Sequence, residues 1–126
     1  MKSFIIAMVI FAVLLAGGTA FNLCLNETSK ELLSSCEAIN DDIAQEKMQD
    51  AYDKATKLSE YIDGKKPLLS SILDHSNIDE IEKEISGLLG YTEQQDKTNA
   101  VVSIKELKHM FEHLPENYAL SLQNIL

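Results

Sequence analysis

Apolar residues recur along most of the chain at the spacing of helix faces. Three segments place them at successive intervals of four, three and four residues, and a fourth has a stripe of slightly different phase. At 100° per residue, each of the first three sets falls within about 60° of arc, which is typical of a helix that packs against a core. Sustained period-two alternation is absent apart from a hint at Leu120 and Leu122. The sequence therefore predicts an all-α fold, with stripes at Leu32, Cys36, Ile39 and Ile43; at Ala51, Ala55, Leu58 and Ile62; at Ile78, Ile81, Ile85, Leu88 and Leu89; and at Ala100, Ile104, Leu107 and Phe111.

Polar and helix-breaking residues mark the predicted ends of the first helices. The polar stretch 42–47 predicts a turn between the first two helices. Residues 63–66 are predicted to end the second, because Pro67 suits the first turn of a following helix. Alternatively, residues 67–91 form one long helix, and the sequence does not decide between these two readings.

Similar signals place the later breaks. Ser76 and Asp79 have the spacing of a capping box that would open the helix containing the fourth stripe. Residues 92–96 predict the next turn, and Leu114-Pro115 ends the last long helix because proline disfavours α conformation in the residue before it. We expect a small bundle of four to five antiparallel helices after the leader.

The first 26 residues contain one charge, Lys2, followed by an uncharged run from Ser3 to Asn26. As a helix, this run of about 24 residues spans ~36 Å, enough to cross a bilayer with some tilt. Small residues at Gly18 and Ala20 also fit a signal-peptidase site, so cleavage near Ala20 followed by secretion is the alternative. We interpret residues 1–26 as a transmembrane signal-anchor, in which residues 4–25 contact lipid.

The apolar phase runs from this leader into the following segment. Leu25 precedes Leu32 by seven residues on the same helix face, and no run of Gly, Ser or Pro separates them. We therefore expect one unbroken helix through the leader and the start of the domain. Within the leader, four small residues form a ridge that is able to pack against another membrane helix: Ala12, Ala16, Gly17 and Ala20.

Charge separates the leader from the rest of the chain. Of the 11 basic residues only Lys2 precedes the uncharged run, and all 20 acidic residues follow it. This acidic balance argues against nucleic acid as a partner. The positive-inside rule places the amino terminus in the cytoplasm and residues 27–126, predicted to be one helical domain, outside the cell membrane.

Two short motifs resemble catalytic chemistry. His109-Met110-Phe111-Glu112-His113 has the H-x-x-E-H spacing in which two histidines share a helix face and bind zinc. Both histidines are predicted to lie opposite the apolar stripe, facing solvent, so His109 and His113 are weak metal candidates and a metal-dependent hydrolase is the least favoured function.

The second motif, Asp74-His75-Ser76, contains the residue types of a hydrolytic triad in consecutive positions. A triad depends on converging geometry, which neighbours on a helix do not provide. We predict helix capping here, and expect neither a catalytic residue nor a cofactor.

Three segments carry a resemblance to a known family: MKSFIIAMVIFAVLLAGG at the start, LDHSNIDEIE in the centre and EHLPENYALSLQNIL at the end. Together they resemble a bacterial family, found mostly in Firmicutes, that is catalogued as domain of unknown function 4363. The resemblance implies a small membrane-anchored helical protein, and its members are often encoded beside membrane proteins, which implies a membrane partner. The signature positions are Asp74, His75, Ser76, Ile78 and Asp79, then His113, Pro115, Leu120, Ser121, Leu122, Asn124, Ile125 and Leu126.

Taken together, these features predict a non-enzymatic interaction or accessory module. Its expected partner is an integral membrane protein or a second copy of the chain. A secreted or anchored domain that binds or senses a ligand is the alternative.

Overall fold

The computed structural model describes residues 1–114 and consists there of four helices joined by short turns. They are α1 (Lys2–Ala44), α2 (Met48–Ser70), α3 (His75–Glu93) and α4 (Lys97–Glu112). Consecutive helices pack against each other, and α4 packs back against α1. Within residues 1–114 these helices form a closed up-and-down bundle, which confirms the predicted all-α class.

The predicted stripes form the bundle core. Every residue of the first, second and last stripes is buried, and so are Ile78, Ile81, Ile85 and Leu88 of the remaining one. Leu89 is only partly buried and packs at the edge of this core. Burial of these faces against one another is the main force that holds four marginal helices together.

The leader and the domain share one helix, as the continuous apolar phase predicted. α1 runs without interruption from Lys2 to Ala44, and its buried positions begin at Leu25. This single helix therefore joins the uncharged segment rigidly to the bundle.

The predicted breaks around Pro67 were wrong. α2 continues through residues 63–66 and keeps Pro67 inside the helix, ending at Ser70. Residues 67–91 are therefore neither a new helix that begins at Pro67 nor one long helix, because the chain turns at 71–74. The helix extends because burying Leu69, and Leu73 just beyond it, outweighs the single backbone hydrogen bond that proline removes.

The capping box was also wrong. α3 begins at His75 with Asp74 in the N-cap position, so Ser76 already lies in the first helical turn.

The turns at the opposite end of the bundle were predicted nearly correctly. α1 extends through residues 42–44 and α3 through Thr92 and Glu93, which leaves the turns at 45–47 and 94–96. α4 ends before Pro115, as predicted.

Candidate functional site

The apolar amino-terminal part of α1 is uncovered. Every residue from Met1 to Ala20 is exposed. The helix is long and apolar enough to cross a membrane, by length and composition. Contiguous exposed apolar surfaces are found where proteins contact membranes or other proteins. The exposed large side chains of this part of α1 are Phe4, Ile5, Ile6, Met8, Val9, Ile10, Phe11, Val13, Leu14 and Leu15.

The three alanines of the ridge lie on the side of α1 that points away from the bundle. Because α1 is one continuous helix, directions around its axis carry over from the apolar segment to the domain. With Ala12 set to zero, Ala16 and Ala20 lie at about 40° and 80°, whereas the buried Leu25 and Leu32 lie near 200–220°. Gly17 lies at about 140°, nearer the direction of the buried face; it is exposed like the alanines, and a methyl group added there would meet nothing within 4 Å. A second helix can therefore approach the ridge without meeting the bundle.

The bundle holds α1 firmly where the apolar segment ends. Leu25, Thr28, Ser29 and Leu32 are all buried there. The Ser29 hydroxyl donates a hydrogen bond of 3.1 Å to the backbone carbonyl of Phe111, in the last turn of α4. The junction between the segment and the bundle is thus a packed region of the core.

The signature positions in the described part of the chain gather at this same end of the bundle, which we call the base. Asp74, His75, Ser76 and Asp79 are exposed around the start of α3, and Ile78 is buried in the core. No described hydrogen bond joins the side chains of Asp74, His75 and Ser76, and the Asp74 side chain does not cap the helix. The acid, base and nucleophile types at these positions therefore do not form a triad.

A pocket of about 180 Å³ connects the start of α3 with the end of α4. Asn77 and Ile81 line one side, and Met110, His113 and Leu114 line the other. Signature regions that are far apart in sequence thus become neighbours at the base. The remaining signature positions, Pro115, Leu120, Ser121, Leu122, Asn124, Ile125 and Leu126, lie outside the described residues.

The two histidines of the H-x-x-E-H motif are adjacent. Their ring centroids are 4.5 Å apart in an edge-to-face arrangement. His109 is exposed as predicted, but His113 is half-buried, because it follows the last helical residue and lines the pocket beside α3. Within residues 1–114, no group of three or more His, Cys, Asp or Glu side chains is placed to hold a metal ion.

Open grooves run along the outer side of α1 and α2. The larger one measures about 680 Å³ and is lined mainly by polar and charged side chains, including Glu27, Lys30, Glu31 and Lys65. A smaller one of about 370 Å³ adjoins it and shares Glu31 and Tyr61. Small-molecule sites are typically concave and mostly apolar, so the larger groove, which is charged and open, has little of the character of a ligand pocket.

The cysteines occupy different environments on the same helix. Cys36 is buried in the core, as predicted, whereas Cys24 is exposed, and both thiols are free. Burial raises the pKa of the Cys36 thiol to about 12, which keeps it protonated and unreactive. Cys36 is therefore a small apolar core residue in this fold.

These features define a class: an up-and-down four-helix bundle whose first helix extends into an uncovered segment of membrane-spanning length. The chain belongs to the family described as "Domain of unknown function (DUF4363)", whose model matches residues 19–125. The match covers the whole bundle and the end of the apolar segment. No curated protein and no solved structure matches the chain.

Proposed function

We propose that this protein is a single-pass, membrane-anchored interaction module without enzymatic activity. Its amino terminus lies in the cytoplasm and its helical bundle outside the cell membrane. The observation that carries the proposal is the complete exposure of residues 1–20 on a helix that continues into the folded core. Because an apolar helix of this length is stable in hydrocarbon and costly in water, the segment belongs in a bilayer.

The partner in this proposal is another transmembrane helix, supplied by an integral membrane protein or by a second copy of the chain. Support comes from the ridge of Ala12, Ala16 and Ala20, because small residues allow helix backbones to approach closely within lipid. These alanines point away from the bundle, so a partner helix has room beside them.

Anchoring is tested on the full chain expressed in bacterial membranes. We expect the protein to resist alkaline carbonate extraction and to retain residues 1–20 when its mass is measured. Protease added outside should digest the bundle, and Lys2 should stay protected. A soluble product that begins at Phe21 would instead establish the secreted alternative.

Partner contact is tested with a photocrosslinking amino acid placed at Ala16. The matched control is Leu14, which lies at about 200° on the helix and so points to the opposite side of the ridge. We expect a crosslinked species from Ala16 that is absent from Leu14. Equal crosslinking from both positions, or none from either, would contradict a partner on the ridge.

The absence of enzymatic activity is part of the proposal and has its own test. His109 and His113 are the side chains best placed to hold zinc, and no third ligand among the described residues joins them. We expect zinc bound to the purified full chain to be the same with and without the double change His109→Ala and His113→Ala. Loss of a stoichiometric zinc ion in the variant would favour the hydrolase instead.

A further inference from the structure

The bundle reaches farther toward the apolar segment than the position of Leu25 suggests. Between Leu25 and Ala44, α1 rises ~29 Å, whereas α2 descends ~33 Å from Met48 to Ser70. Since the two helices are antiparallel neighbours joined by a short turn, α2 ends about level with residue 22 of α1. The half-buried state of Phe21 agrees with this level.

This geometry leaves no stalk between the bundle and a membrane. The fully exposed part of α1 runs from Lys2 to Ala20, which corresponds to ~28 Å of helix. The hydrocarbon core of a bilayer is ~30 Å thick. If this stretch fills the hydrocarbon core, the turn between α2 and α3 lies at the depth of the lipid headgroups.

The connection at the base contains a longer uncharged stretch than either turn at the other end of the bundle, and this suits contact with a membrane. The turns far from the apolar segment are polar, with Glu46 and Lys47 in one and Asp96 and Lys97 in the other. At the base, the seven residues from Pro67 to Leu73, which comprise the end of α2 and the start of the turn, carry no charge, and Asp74 follows them. Within this segment, Leu68 and Ile72 are only partly buried and so present apolar surface to the outside.

The residues flanking this uncharged segment suit a membrane interface. Lys65 is half-buried, with its Nζ atom 5.7 Å from the centroid of the Tyr61 ring. Lys66 Nζ lies 2.9 Å from Glu82 Oε1, and its side chain remains about half exposed. Tyrosine and lysine are favoured at interfaces because an apolar body carries a polar tip that reaches toward water and phosphate.

We propose that the uncharged segment 67–73, at the end of α2 and the start of the following turn, contacts the phospholipid headgroups of the leaflet from which α1 emerges. The bundle therefore rests on the bilayer by its base, with Leu68 and Ile72 at the edge of the hydrocarbon. This contact rests on the proposed anchoring of α1. It adds a second membrane-contacting surface in the middle of the sequence.

The test measures how close each turn lies to lipid. An environment-sensitive fluorophore is attached through Ser70→Cys at the base, or through Gln45→Cys or Gln94→Cys at the far end; all three positions are exposed. The background carries Cys24→Ser, and the buried Cys36 remains unlabelled because its thiol stays protonated. The full chain is reconstituted in vesicles of phosphatidylcholine and phosphatidylglycerol that contain a lipid with a nitroxide on its headgroup.

We expect the nitroxide lipid to quench the Ser70 probe several-fold more strongly than the two distal probes, which lie ~30 Å farther along the bundle. Equal quenching at all three sites would overturn the proposal. Equal quenching is also what we expect if this segment binds a partner protein rather than lipid, because the vesicles contain lipid alone.

A second variant separates contact from anchoring. A flexible Gly-Ser segment inserted between Ala20 and Phe21 should reduce quenching at Ser70, while the protein still floats with the vesicles. Undiminished quenching would show that the rigid junction does not hold the base at the lipid. For the chain without the insertion, failure to float at all would defeat both the anchoring and the contact, whereas floating protein with an unquenched Ser70 probe would defeat the contact alone.

Discussion

The hydroxyl of Ser29 donates a 3.1 Å hydrogen bond to the backbone carbonyl of Phe111, although the two residues are 82 positions apart. The Phe111 carbonyl is one of the last of α4 and also accepts a backbone N–H at the C-cap, so the Ser29 hydroxyl adds a second donor from α1. Ser29 is buried, and it follows the uncovered segment by less than three helical turns. This bond therefore fastens the end of the bundle to the helix that enters the membrane in our proposal.

Replacement of Ser29 by alanine should destabilise the bundle by about 1 kcal/mol, because the buried hydrogen bond between α1 and α4 would be lost. The measurement is urea unfolding of the full chain in detergent micelles, followed by circular dichroism. Ser34→Ala is the matched control, since Ser34 is exposed on the same helix and should change the free energy of unfolding by less than about 0.5 kcal/mol. Equal stabilities of the two variants would show that the bond contributes nothing.

Phe111 itself is the largest fully buried side chain of the bundle. Its replacement by alanine should cost about 3–5 kcal/mol, because a cavity would remain where α4 meets α1. Domains of this size have total stabilities of about 5–15 kcal/mol, so this variant should unfold at much lower urea concentration.

Two further variants serve as controls for the loss of stability expected of Phe111→Ala. Phe111→Leu preserves most of the apolar volume and should cost less than Phe111→Ala. Val102→Ala changes an exposed position of the same helix and should alter stability by less than about 0.5 kcal/mol. A small effect of Phe111→Ala would mean that the base of the bundle is loosely packed.

The interior of each helix was predictable because burial follows from local periodicity. The spacing of Leu32, Cys36, Ile39 and Ile43 alone identified the buried face of α1. The same reasoning, carried further, would have corrected the error at Pro67. Leu69 follows Ile62 by seven residues and Leu73 follows by four more, so the stripe of α2 continues in phase past the exposed proline.

The relationships at the base could not be predicted from the sequence. No local pattern reveals that Ser29 meets Phe111, or that Asn77 and His113 line one pocket, because these contacts depend on how four helices close into a ring. His113 illustrates the limit. A helical wheel placed it in solvent, but it lies beyond the last helical residue, where the wheel no longer applies.

The two distal turns share a backbone feature that yields another prediction. Glu46 and Gln95 adopt positive φ angles of 61° and 57°, a conformation that favours glycine. In each turn the next residue donates its N–H to a carbonyl five residues earlier, as in the Schellman motif that ends many helices. Sequence reasoning could not locate this motif, since glycine is absent from both turns.

Gln95→Gly should therefore stabilise the bundle by about 0.5–1 kcal/mol, since relief of the left-handed strain exceeds the added entropy of the unfolded chain. The control is Gln94→Gly at the neighbouring position, where φ is −81° and glycine offers no relief, so that stability should fall or stay the same. The measurement is the thermal unfolding of both variants in micelles, compared with that of the native chain. Destabilisation by Gln95→Gly would contradict the assigned conformation.

The ion pair between Asp42 and Lys54 predicts how stability depends on pH. Lys54 Nζ lies 2.7 Å from Oδ2 of Asp42, whose side chain is nearly buried near the distal end of α1. This close ion pair with Asp42, reinforced by the charges of Asp50 and Asp41, raises the pKa of Lys54 above its ordinary value of 10.5. The folded state thus holds the Lys54 proton more tightly than the unfolded state does.

Because the folded-state pKa is the higher one, the contribution of Lys54 is complete below pH 10.5 and declines as pH rises through that folded pKa. Other lysines and the tyrosines titrate in the same range, so the informative quantity is the difference in unfolding free energy between the native chain and Lys54→Met. We expect this difference to be constant from neutral pH to about pH 9 and to shrink at higher pH. A difference that stays level or grows above pH 10.5 would show that the Asp42–Lys54 pair does not favour the protonated lysine in the folded state.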